Sequence, residues 1–262
     1  MSDIHLEIIS RYPADNDPNR PYLLFIHGAC HGAWCWDDHF LSYFAGKGYA
    51  SHALSLRGHG ESSGTNLVKM ASLNDYVEDI EKTVKKLGDN YVLVGHSVGG
   101  LLIQKFMEKY NVPRAIMISS IPPVGVFKSS MRLAYRHPIL MIKTVFAGGF
   151  RYLFGTPERV SHFLFSPQTP ASTMNSCLAR LCDESYVVFW ETIFTTVKKS
   201  KITPSVAVIG AEHENIFGQI SLQNTAKFYN TKLTLIPDIG HDIMLDQNWK
   251  LAADAMFEFL EQ

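Results

Sequence analysis

Gly95-His96-Ser97-Val98-Gly99 is the stretch of this chain whose residue types can do the most chemistry. It fits G-x-S-x-G, in which a serine stands on a sharp turn between a strand and a helix. Its flanks agree. Tyr91-Val92-Leu93-Val94 reads as a buried strand, and the apolar run from Gly100 to Met107 reads as a buried helix. The glycines on either side of Ser97 let strand and helix approach where a Cβ would clash. The turn also sets Ser97 at a helix N-terminus, where free N–H groups and the helix dipole favour developing negative charge.

A serine hydroxyl is a weak nucleophile at neutral pH, so it needs a base, and the base needs a group to orient it. His241, in Asp238-Ile239-Gly240-His241-Asp242, is the candidate base. It follows the last strand and precedes the C-terminal helix. The orienting carboxylate is expected on the loop after the preceding strand, where Glu212 and Glu214 both qualify. Glu214 lies further past the strand end and is favoured. The end of the strand before that holds Ser119 and Ser120 and no carboxylate.

These groups need a sheet to hold them. Strand patterns are expected at Ile4–Ile9 (an edge strand), Tyr22–Ile26, Tyr49–Leu56, Tyr91–Val94, Val112–Ser119, Pro204–Gly210 and Lys232–Ile236. Helical patterns are expected at Trp34–Gly46, after a capping box at Ser72–Asp75, at Gln219–Tyr229 and at the C-terminus. Alternation of this kind implies an α/β fold with a mostly parallel central sheet and helices on both faces. Residues 122–201 break the alternation. They are rich in Phe, Tyr and Met and carry no strand pattern, so they read as an inserted helical cap on a core formed by residues 1–121 and 202–262.

The order Ser97, Glu214, His241 resembles the α/β-hydrolase superfamily, in its serine esterase and lipase-like members. His27-Gly28-Ala29 resembles that family's oxyanion loop, and Leu56-Arg57-Gly58-His59-Gly60-Glu61-Ser62-Ser63 and Gly240-His241-Asp242 resemble two more of its loops. Ile26 to Trp34 is similar to the plant methyl-esterase and hydroxynitrile-lyase branch. The resemblance implies that the backbone N–H groups of Ala29 and Val98 form an oxyanion hole. It implies a hydrolase of carboxylic esters, with an apolar acyl group or an aromatic ester as substrate, acting through an acyl-enzyme and needing no cofactor. Departures narrow it further. Hydroxynitrile lyases carry lysine after the histidine, where this chain has Asp242. Ser97 stands where epoxide hydrolases and haloalkane dehalogenases have aspartate. Cofactor-free perhydrolysis, or carbon–carbon or amide cleavage on the same groups, is the alternative, and a small-ligand receptor with negligible turnover is a third reading.

Composition excludes other classes. The chain has 262 residues, 46% of them hydrophobic, and a formal net charge of −1, so no global field points to nucleic acid or membrane lipid. No apolar run reaches the roughly 18 residues of a membrane span. Met1 to Ser10 lacks the apolar region of a signal peptide, and a cytoplasmic protein is expected. Cys30, Cys35, Cys177 and Cys182 lack zinc-ligand spacing and read as small buried hydrophobes. His27 and His31 lie four apart, but on a glycine-rich loop, so no metal site is expected; His27, His59 and His96 read as structural groups around the site. Lys128, Arg132, Arg136, Lys143, Arg151 and Arg159 face only Glu158 across the same stretch, which makes one part of the cap basic. That surface reads as a solvated face, or as one that attracts an anionic substrate or lipid interface. The sequence does not fix an oligomeric state.

Overall fold

Among the residues described by the computed structural model (4–15, 17–147, 150–198 and 205–262), seven strands form one sheet. They are β1 (Ile8–Arg11), β2 (Tyr22–Ile26), β3 (Ser51–Leu54), β4 (Tyr91–His96), β5 (Arg114–Ile118), β6 (Ser205–His213) and β7 (Leu233–Gly240). The order across the sheet is β1-β3-β2-β4-β5-β6-β7. β1 runs antiparallel to β3 and every other pair is parallel. Every residue of β2 and β4 is buried, as expected of central strands covered on both faces. Pro204, the expected start of a strand, and the expected 201/202 boundary lie outside the described residues, as does the side chain of Arg151.

Helices α1 (Trp34–Asp37) and α2 (Phe40–Gly46) lead from β2 to β3, α3 (Leu73–Leu87) from β3 to β4, and α4 (Val98–Met107) from β4 to β5. Between β5 and β6 come α5 (Phe127–Arg136), α6 (Pro138–Ala147), α7 (Phe150–Leu153), α8 (Pro157–Leu164), α9 (Ala171–Arg180) and α10 (Tyr186–Phe194). α11 (Gln219–Phe228) joins β6 to β7, and α12 (Trp249–Leu260) follows β7. None of these helices is long and apolar enough to cross a membrane.

β2 connects towards one edge of the sheet and β4 towards the other. With right-handed crossovers, that puts α2 on one face and α3, α4 and α11 on the opposite one, and α12 packs against α2. The strand order therefore reverses between β2 and β4, and a crevice opens at their carboxyl ends, where open α/β sheets bind ligands.

Local sequence explains the best-formed helix. The Ser72 Oγ accepts the Asp75 N–H, and Asp75 accepts the Ser72 N–H at 2.8 Å, so both ends of the capping box are made. Leu73, Tyr76, Val77, Ile80 and Val84 are buried along one face of α3, and Gly88 at φ 114° ends it.

Elsewhere the boundaries move. The helix expected over Trp34–Gly46 breaks at Asp38 and His39, where the His39 ring stacks on Trp249 with centroids 4.6 Å apart. The edge strand starts at Ile8 rather than Ile4, because the His5 and Glu7 N–H groups bond to the hydroxyls of Ser63 and Ser62. β6 and β7 run beyond Gly210 and Ile236, with an irregularity between Ala211 and His213.

Candidate active site

Ser97 follows β4 directly, with φ 53° and ψ −115°, a conformation that costs a non-glycine residue energy. Two glycines make the turn possible. A Cβ at Gly95 would stand 2.6 Å from the Gly99 carbonyl, and one at Gly99 would run into the backbone oxygens of Ile26 and His27. The start of α4 therefore lies directly against the end of β2, and the loops after β2 and β4 meet across the crevice. Val98 opens α4, so its N–H is one of those a helix leaves without an intrahelical acceptor. Ala29 lies on the other loop, and both residues line one pocket with Ser97 and His241.

His241 follows β7 and is almost fully buried. Its Nδ1 lies 2.7 Å from Glu214 Oε2, while Glu214 Oε1 accepts the N–H groups of Ile216 (3.0 Å) and Phe217 (3.1 Å). The Phe217 ring stands edge-on to the imidazole at 5.3 Å. Burial disfavours the His241 cation, but the Glu214 carboxylate outweighs it and raises the pKa above the ordinary value. Burial works against the Glu214 anion too, and His241 with the two N–H groups holds its pKa below the usual range. Glu212 lies inside β6 and accepts the Asp238 N–H at 2.9 Å, so it serves the irregular β6–β7 pairing and leaves His241 to Glu214.

Other histidines brace this arrangement. His27 Nδ1 donates to the Gly28 carbonyl, and its Nε2 accepts the Leu56 N–H, which ties the β2 loop to the chain after β3. His96 Nε2 donates to the His241 carbonyl at 3.0 Å. Burial and the nearby His241 push its pKa down to about 3, so it stays neutral. His31 Nδ1 donates to the Ala29 carbonyl (2.8 Å) and Nε2 to Asp242 Oδ2 (3.1 Å). Burial opposes its charge, yet Asp242 lifts its pKa well above 6.5. His27 and His31 thus bond to different partners despite their spacing. A chain of contacts joins the residue after His241 to the carbonyl of Ala29.

Two buried carboxylates had no sequence signal, because the side chains they bond to lie far away in the chain. Glu184, between α9 and α10, bonds to the Cys30 N–H (3.1 Å), His59 Nε2 (3.2 Å) and the Tyr76 hydroxyl (2.7 Å). Burial opposes its charge, but His59 and these donors hold its pKa down to about 2. Asp246 accepts from Ser166, Thr169 and the Gly240 N–H, which anchors the His241 loop to the chain after α8.

Above Ser97 the pocket wall is apolar: Phe150, Leu153, Phe154, Leu164, Ile216 and Phe217. The space they leave is about 30 Å³. A wider groove of about 440 Å³, lined by Val77, Lys105, Glu191 and Phe194 among others, contains none of Ser97, His241, Glu214, Ala29 and Val98.

Residues 23–255 match the sequence model described as the alpha/beta hydrolase family. The chain belongs to the alpha/beta hydrolase family. Curated proteins similar to it include Methyl jasmonate esterase 1 of Vitis vinifera, 33% identical over 113 residues, covering 42% of this chain and 42% of that protein. Salicylic acid-binding protein 2 of Nicotiana tabacum is 32% identical over 119 residues, covering 43% and 44%. The match thus spans less than half the length of these relatives. Among solved hydrolase-fold structures, a thermophilic esterase from Thermogutta terrifontis superposes with a TM-score of 0.72 at 16% identity, covering 98% of this chain and 93% of that one. A bromoperoxidase from Bacillus anthracis gives 0.74 at 16% identity, covering 99% and 95%. At such identities these two likenesses speak for the fold alone.

Proposed function

We propose that this protein hydrolyses carboxylic esters, with Ser97 as nucleophile, His241 as base and Glu214 as the group that orients it. The observation that carries this reading is the Glu214–His241 hydrogen bond on the wall of the pocket lined by the Ser97 turn. With Nδ1 held by Glu214, the other ring nitrogen is left to take the Ser97 proton as the hydroxyl attacks the ester carbonyl. The N–H groups of Ala29 and Val98 stabilise the oxyanion, a contribution typically of about 3 kcal/mol per donor. His241 returns the proton to the leaving alcohol. It then activates a water that releases the acid from the acyl-serine.

The apolar wall favours an apolar or aromatic acyl group. The names of the similar plant proteins point to methyl esters, whose leaving group is small. Residues 122–201 act in this reading as a cap, contributing Phe150, Leu153 and Phe154 over Ser97.

Labelling with a fluorophosphonate, followed by peptide mapping, tests the assignment. The adduct is expected on Ser97 and absent from Ser97→Ala. A folded protein that turns over esters while Ser97 stays unlabelled would overturn it.

A further inference from the structure

Three neighbouring helices between β5 and β6 expose large apolar side chains in regular stripes. On α5, Phe127, Met131 and Tyr135 recur every fourth residue and point to solvent, with Tyr135 89% exposed. Ser129 and Leu133, on the other side of the helix, are buried. On α6, Ile139, Ile142 and Phe146, spaced three and four apart, also point to solvent, with Phe146 84% exposed. The patch continues onto α10, where the Phe194 ring lies 5.9 Å from that of Phe127 and the Tyr186 hydroxyl donates to the Val145 carbonyl. Six half- to fully exposed large hydrophobics within 20 residues exceed the scattered singles of an ordinary surface.

The charges on α5 and α6 have one sign. Lys128, Arg132 and Arg136 form a second stripe on α5, one residue out of step with the apolar one, and Lys143 lies on α6. All four are exposed, and no acidic residue occurs between Phe127 and Pro157. Apolar side chains bordered by lysine and arginine fit an anionic bilayer. The aromatic and aliphatic groups enter the boundary between headgroups and acyl chains, and the cations meet the phosphates. A second protein copy would face the same positive charge across the contact, which disfavours self-association through this face.

We propose that α5 and α6 dock the protein on anionic lipid surfaces. Docking brings the pocket to the membrane, since Phe150, Leu153 and Phe154, which wall it, follow α6 directly. An apolar ester would then pass from lipid to Ser97 with little exposure to water. The docking itself stands apart from the assignment of Ser97, because it concerns binding and not turnover.

The test is co-sedimentation of the full chain with sucrose-loaded vesicles. One set contains phosphatidylglycerol and phosphatidylcholine in equal parts, the other phosphatidylcholine alone. Binding is expected to the anionic vesicles, weakening as salt is raised. Each basic residue near such a surface contributes about fivefold to partitioning, so Arg136→Gln with Lys143→Gln is expected to weaken binding roughly 25-fold. Tyr135→Ser with Phe146→Ser should weaken it on both vesicle types. These four side chains are exposed, so both variants should keep the wild-type melting temperature and hydrolyse a water-soluble ester at the wild-type rate. Equal binding to both vesicle types, no binding to either, or wild-type binding by both variants overturns the proposal. So does a concentration-dependent dimer, seen by sedimentation velocity, that Tyr135→Ser with Phe146→Ser abolishes.

Discussion

Glu214 grips His241 with one carboxylate oxygen while the backbone grips the other. Oε2 lies 2.7 Å from Nδ1, and Oε1 accepts the N–H groups of Ile216 and Phe217. The carboxylate cannot rotate without losing two hydrogen bonds, so it fixes both the tautomer and the plane of the ring. It also supplies the only negative charge bonded directly to the imidazole among the described residues.

Replacing Glu214 with Gln should therefore change both rate and pH dependence. With His241 as the proposed base, the reaction needs its ring neutral, so kcat/KM should fall as pH drops through its pKa. In the wild type that limb should lie above pH 6.5, because Glu214 raises the pKa. Glu214→Gln removes the counter-charge, leaves burial unopposed, and should move the limb to lower pH. A drop in kcat on the order of 10³-fold or more should accompany it. A pH–rate profile with a suitable methyl ester reads both effects. An unmoved limb would detach Glu214 from the titrating group.

Gly99 carries the approach of α4 to β2. A methyl group there meets the Ile26 and His27 carbonyl oxygens, which are backbone and cannot swing away. Gly99→Ala should cost about 1–3 kcal/mol of stability. It should also lower kcat well below what a stability loss alone explains, since it moves the Val98 N–H relative to Ala29. Urea titration alongside kinetics on the folded fraction separates the two. Wild-type stability in the variant would contradict the contact.

What the sequence made legible was local. The strand–serine–helix turn, the capping box of α3 and the apolar runs of β2 and β4 are each set by neighbours a few residues apart. Patterns of that kind survive in a linear reading. The choice of Glu214 over Glu212 also rested on distance past a strand end. β6 in fact continues through Glu212, which leaves Glu214 as the first carboxylate free of the strand. Glu184, Asp246 and the His31–Asp242 pair had no such signal. Their side-chain partners lie 77 to 211 residues away, and a lone glutamate or aspartate looks the same in sequence whether it is buried or solvated. The break between α1 and α2 was hidden for the same reason, since His39, at the break, stacks on the distant Trp249.

Glu184 and His59 should make stability depend on pH within a defined window. His59 has a raised pKa, so its contribution is complete below its ordinary value of 6.5 and fades as pH rises through the folded value. Glu184 has a depressed pKa, so its contribution is complete above its ordinary 4.5 and fades as pH falls towards about 2. Both are therefore present between 4.5 and 6.5. Within that range Glu184→Gln should lower stability by about 3–5 kcal/mol, because the buried His59 loses its partner. Above it, the gap in melting temperature between the two proteins should narrow as His59 deprotonates. A gap independent of pH would assign the loss to hydrogen bonds alone.

Phe154 should set how long an acyl chain the site accepts. Its ring is buried on the wall of a space of only about 30 Å³. A long acyl chain must displace such rings to reach Ser97, and an acetyl group displaces far less. Each methylene taken from water into an apolar wall gains about 0.8 kcal/mol, or roughly fourfold in kcat/KM where the space exists. Opening room for two methylenes should thus raise the ratio of octanoate to acetate turnover by about tenfold or more. Phe154→Ala makes the larger opening, and cavity formation should cost it about 3 kcal/mol of stability. Phe154→Leu is the gentler variant and should shift the ratio in the same direction by less. Profiles over p-nitrophenyl esters of rising chain length read the effect, and because each is a ratio for one protein, loss of folded enzyme cancels. The same profile in all three proteins would mean that the acyl chain leaves the site by another wall.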